Sequence, residues 1–124
     1  MVQKKNILTW IIIVGAIVLS IGLLVYQNLK PGQYDEFAKC LKDKGAIFWG
    51  AFWCPHCQNQ KKIFGNSAKL LPYVECSLPS GKSQTQECTD KEIKGYPTWE
   101  FADCSREVRV MSPKELAEKT GCAI

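Results

Sequence analysis

From Ile7 to Tyr26 the chain runs for 20 residues without a charged side chain (ILTWIIIVGAIVLSIGLLVY). As a helix rising about 1.5 Å per residue, that run covers about 30 Å, the hydrocarbon thickness of a bilayer. A secretory signal carries a shorter apolar stretch, roughly 7–15 residues, and ends in a small-residue cleavage site. The exit here, Leu23-Leu24-Val25-Tyr26-Gln27-Asn28, offers no such site, so the run reads as an uncleaved transmembrane anchor in the lipid bilayer. Lys4, Lys5 and the α-amino group precede it, and Lys30 alone follows closely. Positive charge is retained on the cytoplasmic side. The expected arrangement is a cytoplasmic N-terminus (1–6), an anchor (7–26), a linker (27–33) containing Pro31-Gly32, and an extracytoplasmic domain (34–124).

That domain has the size of one small core. The net charge of +4 does not belong to it. Of 16 basic residues, Lys4, Lys5 and Lys30 flank the anchor, and the other 13 nearly balance the 12 acidic ones. A domain so balanced has no electrostatic footprint for nucleic acid. All seven cysteines (Cys40, Cys54, Cys57, Cys76, Cys88, Cys104, Cys122) follow the anchor. Outside the reducing cytosol, such usage indicates disulfides together with a redox pair.

The element order reads helix, strand, helix, strand, helix, strand, strand, helix. Tyr34, Phe37, Cys40 and Leu41 recur at helical spacing before Gly45. The apolar run 46–52 is expected as a buried strand. Pro55 suits the first turn of a helix running towards Gly65. A second strand is expected over 72–76, a loop over 77–83 and a weak helix over 85–93. A hairpin over 98–102 and 106–110 turns at Asp103-Cys104-Ser105. Ser112-Pro113-Lys114-Glu115 is a capping box opening the last helix, which stops at Gly121. Trp49, Phe52, Phe64, Trp99 and Phe101 are expected in the core, and the lysines of the first helix on a solvated face.

Cys54-Pro55-His56-Cys57 lies where the first strand gives way to a helix. Two cysteines three apart at a helix start can close a small disulfide ring. Free N–H groups and the macrodipole there stabilise a thiolate on the first cysteine, and His56 can add a hydrogen bond or partial charge. Thiols at such sites ionise at roughly 3.5–7.5, against about 8.5 for a free cysteine. Cys54 is then the exposed nucleophile, and Cys57, a turn further on, the resolving thiol that releases a mixed disulfide. Stabilising the reduced form makes the disulfide the stronger oxidant, by about 30 mV per 1.4 kcal/mol. The alternative for a Cys-x-x-Cys pair is a metal site in which Cys54, His56 and Cys57 bind copper or zinc, but zinc usually takes four ligands, often from two such pairs. One pair stands here, so no metal and no other cofactor is expected.

Phe52-Trp53-Cys54-Pro55-His56-Cys57 resembles the thioredoxin active-site signature, and Gly95-Tyr96-Pro97-Thr98 resembles that family's cis-proline loop. The resemblance covers about residue 34 to the end. It implies an α/β thioredoxin fold, a central mixed sheet flanked by helices, preceded here by the transmembrane helix. It also implies that Pro97 packs against the active-site pair, with Trp53, Pro55, Tyr96 and Thr98 lining the substrate cleft. Gly50 to Gln58, Pro72-Tyr73-Val74-Glu75-Cys76-Ser77 and Gln86-Glu87-Cys88-Thr89 resemble more closely the thioredoxin-like domain fused to, or partnering, bacterial vitamin K epoxide reductase homologues. Such domains oxidise folding substrates and pass the electrons to a membrane quinone reductase, whose four-helix bundle is expected here on a separate protein. The DsbA group also uses Cys-Pro-His-Cys, but its helical insertion does not fit in the 39 residues between Cys57 and Pro97. One departure stands out. The family's buried carboxylate, which assists the resolving cysteine, is matched by Phe48, leaving Glu75, water or no base in its place.

By the same resemblance Cys76 and Cys88 form a structural disulfide; the alternative is a second redox pair relaying electrons from Cys57. Cys40 and Cys122, in the first and last helices, are candidates to pair, which leaves Cys104 as the odd thiol, in a turn where glycine is expected. The function expected is a membrane-anchored extracytoplasmic thiol-disulfide oxidoreductase. Its partners are substrate proteins with thiols or disulfides and a membrane quinone reductase of the vitamin K epoxide reductase type. A disulfide reductase of the cytochrome c maturation type and a copper- or zinc-binding protein are the other readings.

Overall fold

The computed structural model describes residues 2–124 as two compact units, one ending at Pro31 and the other spanning Gly32–Ile124. Met1, whose α-amino group entered the charge comparison, lies outside the described residues.

The first unit is one helix, α1 (Val2–Leu29), the one helix among the described residues long and apolar enough to cross a membrane. It is longer than the uncharged run at both ends. Side chains continue the helical bonding past that run: Thr9 donates to the Lys5 carbonyl (2.9 Å) and Asn28 to the Leu24 carbonyl (3.0 Å). The linker expected over 27–33 is therefore helical as far as Leu29.

In the second unit, α2 (Asp35–Asp43) buries Phe37, Ala38 and Leu41 along one stripe and leaves Lys39 and Lys42 exposed. Strand β1 (Ile47–Gly50) is central. It pairs in parallel with β2 (Tyr73–Glu75) and antiparallel with β3 (Thr98–Glu100), which pairs antiparallel with β4 (Arg106–Glu107). The resulting mixed four-stranded sheet, ordered β2-β1-β3-β4 and flanked by helices, is the thioredoxin fold.

Side chains alternate across a strand, and β1 uses both faces. Phe48 joins the larger core with Leu41, Phe64, Trp99, Phe101, Met111 and Leu116, while Trp49 joins a smaller one with Cys76, Cys88 and Ile93. Phe48 lies between Trp99, stacked at 5.0 Å, and Tyr73, edge-on at 5.0 Å.

Three further elements complete the unit: α3 (Pro55–Phe64), α4 (Gln86–Asp90) and α5 (Pro113–Thr120). A short 3-10 segment, Gly65–Leu70, follows α3, and Ser67 within it accepts a hydrogen bond from the Tyr34 amide (2.9 Å). The capping box of α5 is formed in both directions, Glu115 N–H to Ser112 Oγ (3.3 Å) and Ser112 N–H to Glu115 Oε2 (2.8 Å). Gly121 closes α5 in the left-handed region at φ 76°, where a side chain would be strained.

Several elements are shorter than their sequence patterns suggest. β1 stops at Gly50 because the chain turns at Ala51, whose carbonyl takes the Cys54 amide (3.0 Å). Phe52, expected in the core, is carried out on that turn and is 49% exposed. α4 ends at Asp90, two residues before Glu92 takes a positive φ of 54°. The second hairpin strand keeps only Arg106–Glu107, and Cys104 occupies the turn at φ 62°.

Candidate active site

The turn leaving β1 delivers Cys54 to the N-cap of α3. Its backbone there is extended, and its sulfur accepts a hydrogen bond from the Cys57 amide (3.4 Å). A side-chain acceptor at this position satisfies one of the orphan N–H groups of a helix start. Here that acceptor is a thiol, so negative charge on it meets both an N–H and the positive end of the helix. Pro55, at the first helical position, has no N–H to lose.

In the loop that meets Cys54, the Tyr96–Pro97 bond is cis. Cys54 donates to the Tyr96 carbonyl at 3.6 Å. The loop is pinned by Thr98 Oγ1, which donates to the Gly95 carbonyl (2.7 Å). Trp53 stands edge-on to Tyr96 at 6.0 Å and donates from Nε1 to Ser77 Oγ (2.9 Å). Cys54 thus meets the cis-proline loop at the Tyr96 carbonyl, and Trp53 faces the Tyr96 ring. Pro55 and His56 are exposed on the first turn of α3, and His56 has no hydrogen-bond partner among the described residues.

Both thiols are enclosed: Cys57 is 1% exposed and Cys54 4%. Cys54 is thus not the exposed sulfur expected from the sequence, because it turns in towards the Tyr96 carbonyl and the start of α3. A Cβ on Gly50 would stand 3.1 Å from the Cys57 sulfur and 2.7 Å from the Tyr73 ring, so glycine is what lets β1 pass beneath the thiol. Burial pushes the Cys57 thiol up to about 12; the contact with Cys54 adds to this, while the Ala51 backbone and the Lys61 charge act the other way. A thiol so raised is inert as a nucleophile until it loses its proton.

No carboxylate faces Cys57 from β1, since Phe48 fills that place. A carboxylate is carried by the neighbouring strand β2. Glu75 accepts from the amides of Phe52 (3.1 Å) and Ser77 (2.9 Å) and from the Tyr73 hydroxyl (2.7 Å). Burial, followed by the Glu75 carboxylate, holds the Tyr73 phenol well above its ordinary range. Lys61, four residues after Cys57 on α3, lies 3.4 Å over the Tyr73 ring.

The other cysteines are paired apart from one. Cys40 and Cys122 are bonded across 82 residues and Cys76 and Cys88 across 12, while Cys104 is free and exposed. Among the described residues no group of three or more His, Cys, Asp or Glu side chains is placed to hold a metal ion. Sequence reasoning missed Gln60. It is fully buried: its amide nitrogen donates to the Met111 carbonyl (2.9 Å), and its oxygen accepts from the Met111 amide (2.8 Å) and Trp99 Nε1 (3.0 Å). Spacing held the signal, because Cys57, Gln60 and Phe64 fall on one helical stripe.

A thioredoxin fold with a dithiol at the strand–helix junction beside a cis-proline defines the class of this site. No family profile matches the chain. The thiol-disulfide oxidoreductase LTO1 of Arabidopsis thaliana is 44% identical over 93 residues, which are 70% of this chain and 24% of that protein. The chain thus spans about a quarter of the length of this relative.

Proposed function

We propose that this chain is a membrane-anchored extracytoplasmic thiol-disulfide oxidoreductase that oxidises substrate thiols through Cys54 and Cys57. It then passes the electrons to a membrane quinone reductase of the vitamin K epoxide reductase type. The observation that carries the reading is the placement of Cys54 Sγ as the cap of α3, 3.4 Å from the Cys57 amide and 3.6 Å from the Tyr96 carbonyl. The similarity to a protein named as a thiol-disulfide oxidoreductase supports the same chemistry. The uncharged run within α1, with Lys4 and Lys5 in the helical turn before it, supports the membrane side assigned.

In the oxidising direction a substrate thiolate attacks Cys54 of the enzyme disulfide, and Cys57 departs as the leaving thiolate. A second substrate thiolate then attacks the substrate sulfur of the mixed disulfide, and Cys54 departs. The substrate gains one S–S bond, and the enzyme holds two electrons and two protons as a dithiol. The partner quinone reductase removes them. The cis-proline loop offers its backbone to an extended substrate beside Cys54, and Trp53, Tyr96 and Thr98 shape that cleft.

Replacing Cys57 with Ser leaves the mixed disulfide without its resolving thiol. Cells carrying Cys57→Ser are expected to accumulate adducts through Cys54, with a quinone reductase among them; recovery of no adducts would reject the reading. The redox potential fixes the direction of electron flow. A value well below about −220 mV would indicate the reductase of cytochrome c maturation instead.

A further inference from the structure

Cys57 poses a chemical problem that the site must answer. A buried thiol has to leave as a thiolate when a substrate attacks Cys54, or to become one before it can attack Cys54 itself. The titratable and charged groups around it are few. Cys54 lies at the same helix start, Lys61 one turn further along α3, and Tyr73 with Glu75 on β2; β1 brings only Phe48 and Gly50. The cation in this set is Lys61.

Its place is fixed by contacts. Residues four apart share a helix face, which sets Lys61 on the side of Cys57. The ammonium lies 3.4 Å above the Tyr73 ring centre, within the range of a cation–π contact. The edge of that ring and the Cys57 sulfur lie 2.7 and 3.1 Å from the same point beside Gly50, so they are no more than 5.8 Å apart. Glu75 in turn holds the Tyr73 hydroxyl at 2.7 Å, and the Phe52 and Ser77 amides hold Glu75. The chain of contacts runs from the backbone of the active-site turn to the lysine beside the buried sulfur.

We propose that Lys61, seated on Tyr73, is a positioning residue whose charge stabilises the Cys57 thiolate during disulfide exchange. The inference rests on the function proposed above for Cys54 and Cys57. When a substrate thiolate forms its bond to Cys54, the Cys54–Cys57 bond breaks and Lys61 stabilises the sulfur that departs with the electron pair. In the return direction Cys57 gives its proton to solvent and attacks Cys54, and the substrate leaves as a thiolate. Lys61 acts without giving up a proton, which distinguishes it from a carboxylate base. Burial and the Cys54 contact raise the Cys57 thiol, and the Lys61 charge opposes them.

The test uses the full chain in membranes or detergent, with Lys61→Met, which keeps an apolar stem over Tyr73, and Lys61→Arg, which restores the charge. Cys104→Ser is present throughout to silence the exposed thiol. Two quantities are read: the pH midpoint of Cys57 alkylation in a Cys54→Ser background, and the lifetime of a mixed disulfide made on Cys54 with a thiol-bearing peptide. Lys61→Met is expected to raise the midpoint by about one pH unit, and Lys61→Arg to return it. Tenfold less thiolate is partly offset by its greater nucleophilicity, so the lifetime should lengthen roughly threefold. An unmoved midpoint, or an arginine variant that behaves like the methionine one, overturns the proposal. A midpoint that moves as expected in a protein forming no adducts in cells would leave the Lys61 assignment standing and reject the oxidoreductase reading instead.

Discussion

Two cysteine pairs lie near the same end of the sheet. Cys54 follows β1 and caps α3; Cys76 follows β2 and is bonded to Cys88 within α4. The difference lies in what caps each helix. At α4 the cap is Thr85, whose hydroxyl accepts from the Cys88 amide (3.4 Å), so an oxygen occupies the place nearest the helix's positive end. At α3 the sulfur of Cys54 occupies that place itself. Cys76 and Cys88 are wholly enclosed beside Trp49 and Ile93; Cys54 is buried as well, but it follows the exposed Phe52 and Trp53 in the chain. Reactivity in this fold is therefore a matter of which atom takes the cap.

The largest effect expected from dissecting the cysteines belongs to neither pair. Cys40–Cys122 closes 82 residues, and its removal by paired alanine substitution should cost about 4.5 kcal/mol in chemical denaturation, by the loop-entropy relation. A loss below 1 kcal/mol would mean that the unfolded chain is held together by other means. Removing Cys76–Cys88 should cost about 3 kcal/mol while leaving Cys54 alkylation at its wild-type rate. A slowed Cys54, or a Cys76–Cys88 bond reduced at the same potential as the active-site pair, would make the second pair a redox relay and erase the distinction.

Gln60→Ala tests the seat of the reactive helix. It leaves the Met111 amide and carbonyl and the Trp99 indole without partners, at roughly 1–3 kcal/mol for each buried polar group left unpaired. A destabilisation of about 3 kcal/mol is expected, together with slower exchange as α3 loosens. A neutral outcome would show that packing alone holds α3.

A further effect is in pH. The folded Cys57 thiol, raised to about 12, favours its neutral form. Its contribution is complete below the ordinary thiol range near 8.5 and is lost as pH rises towards 12. The reduced protein should therefore lose stability over that alkaline window, and the protein with Cys54–Cys57 oxidised should not. Glu115 acts with the opposite sign. Hydrogen bonds from the Ser112 backbone, then from Arg109 and the Ser112 hydroxyl, lower its carboxyl to about 2. Its contribution is present above the ordinary carboxylate range near 4 and fades as pH falls towards 2. Equal alkaline curves for the two redox forms would sever Cys57 from this account.

The fold was legible where the pattern was local. The capping box at Ser112, the proline start of α3 and the glycine stops at Gly65 and Gly121 all read directly from neighbouring residues. So did the uncharged run of α1, although not its ends, which extend to Val2 and Leu29. Phe52 was misread because composition made it one more apolar residue of a strand, while the turn at Ala51 is set by a single backbone bond. Within the site, Cys54 and Cys57 declared themselves by spacing. The partners of Gln60 and Lys61 did not, since they lie 12 to 51 residues away and are met only when α3, β2, β3 and the segment before α5 are brought together.

Cys104 has a practical consequence. Among the described residues its sulfur is the one free thiol that is exposed to solvent, so a reagent added to count or label thiols will react there as well. A stoichiometry taken on the unaltered chain would credit the active site with a sulfur from a hairpin. Because the backbone there adopts φ 62°, Cys104→Gly suits the turn and gives the cleanest background for measuring Cys54. Left in place, the same side chain is a ready attachment point for a fluorophore or spin label that reports on the domain without touching its chemistry.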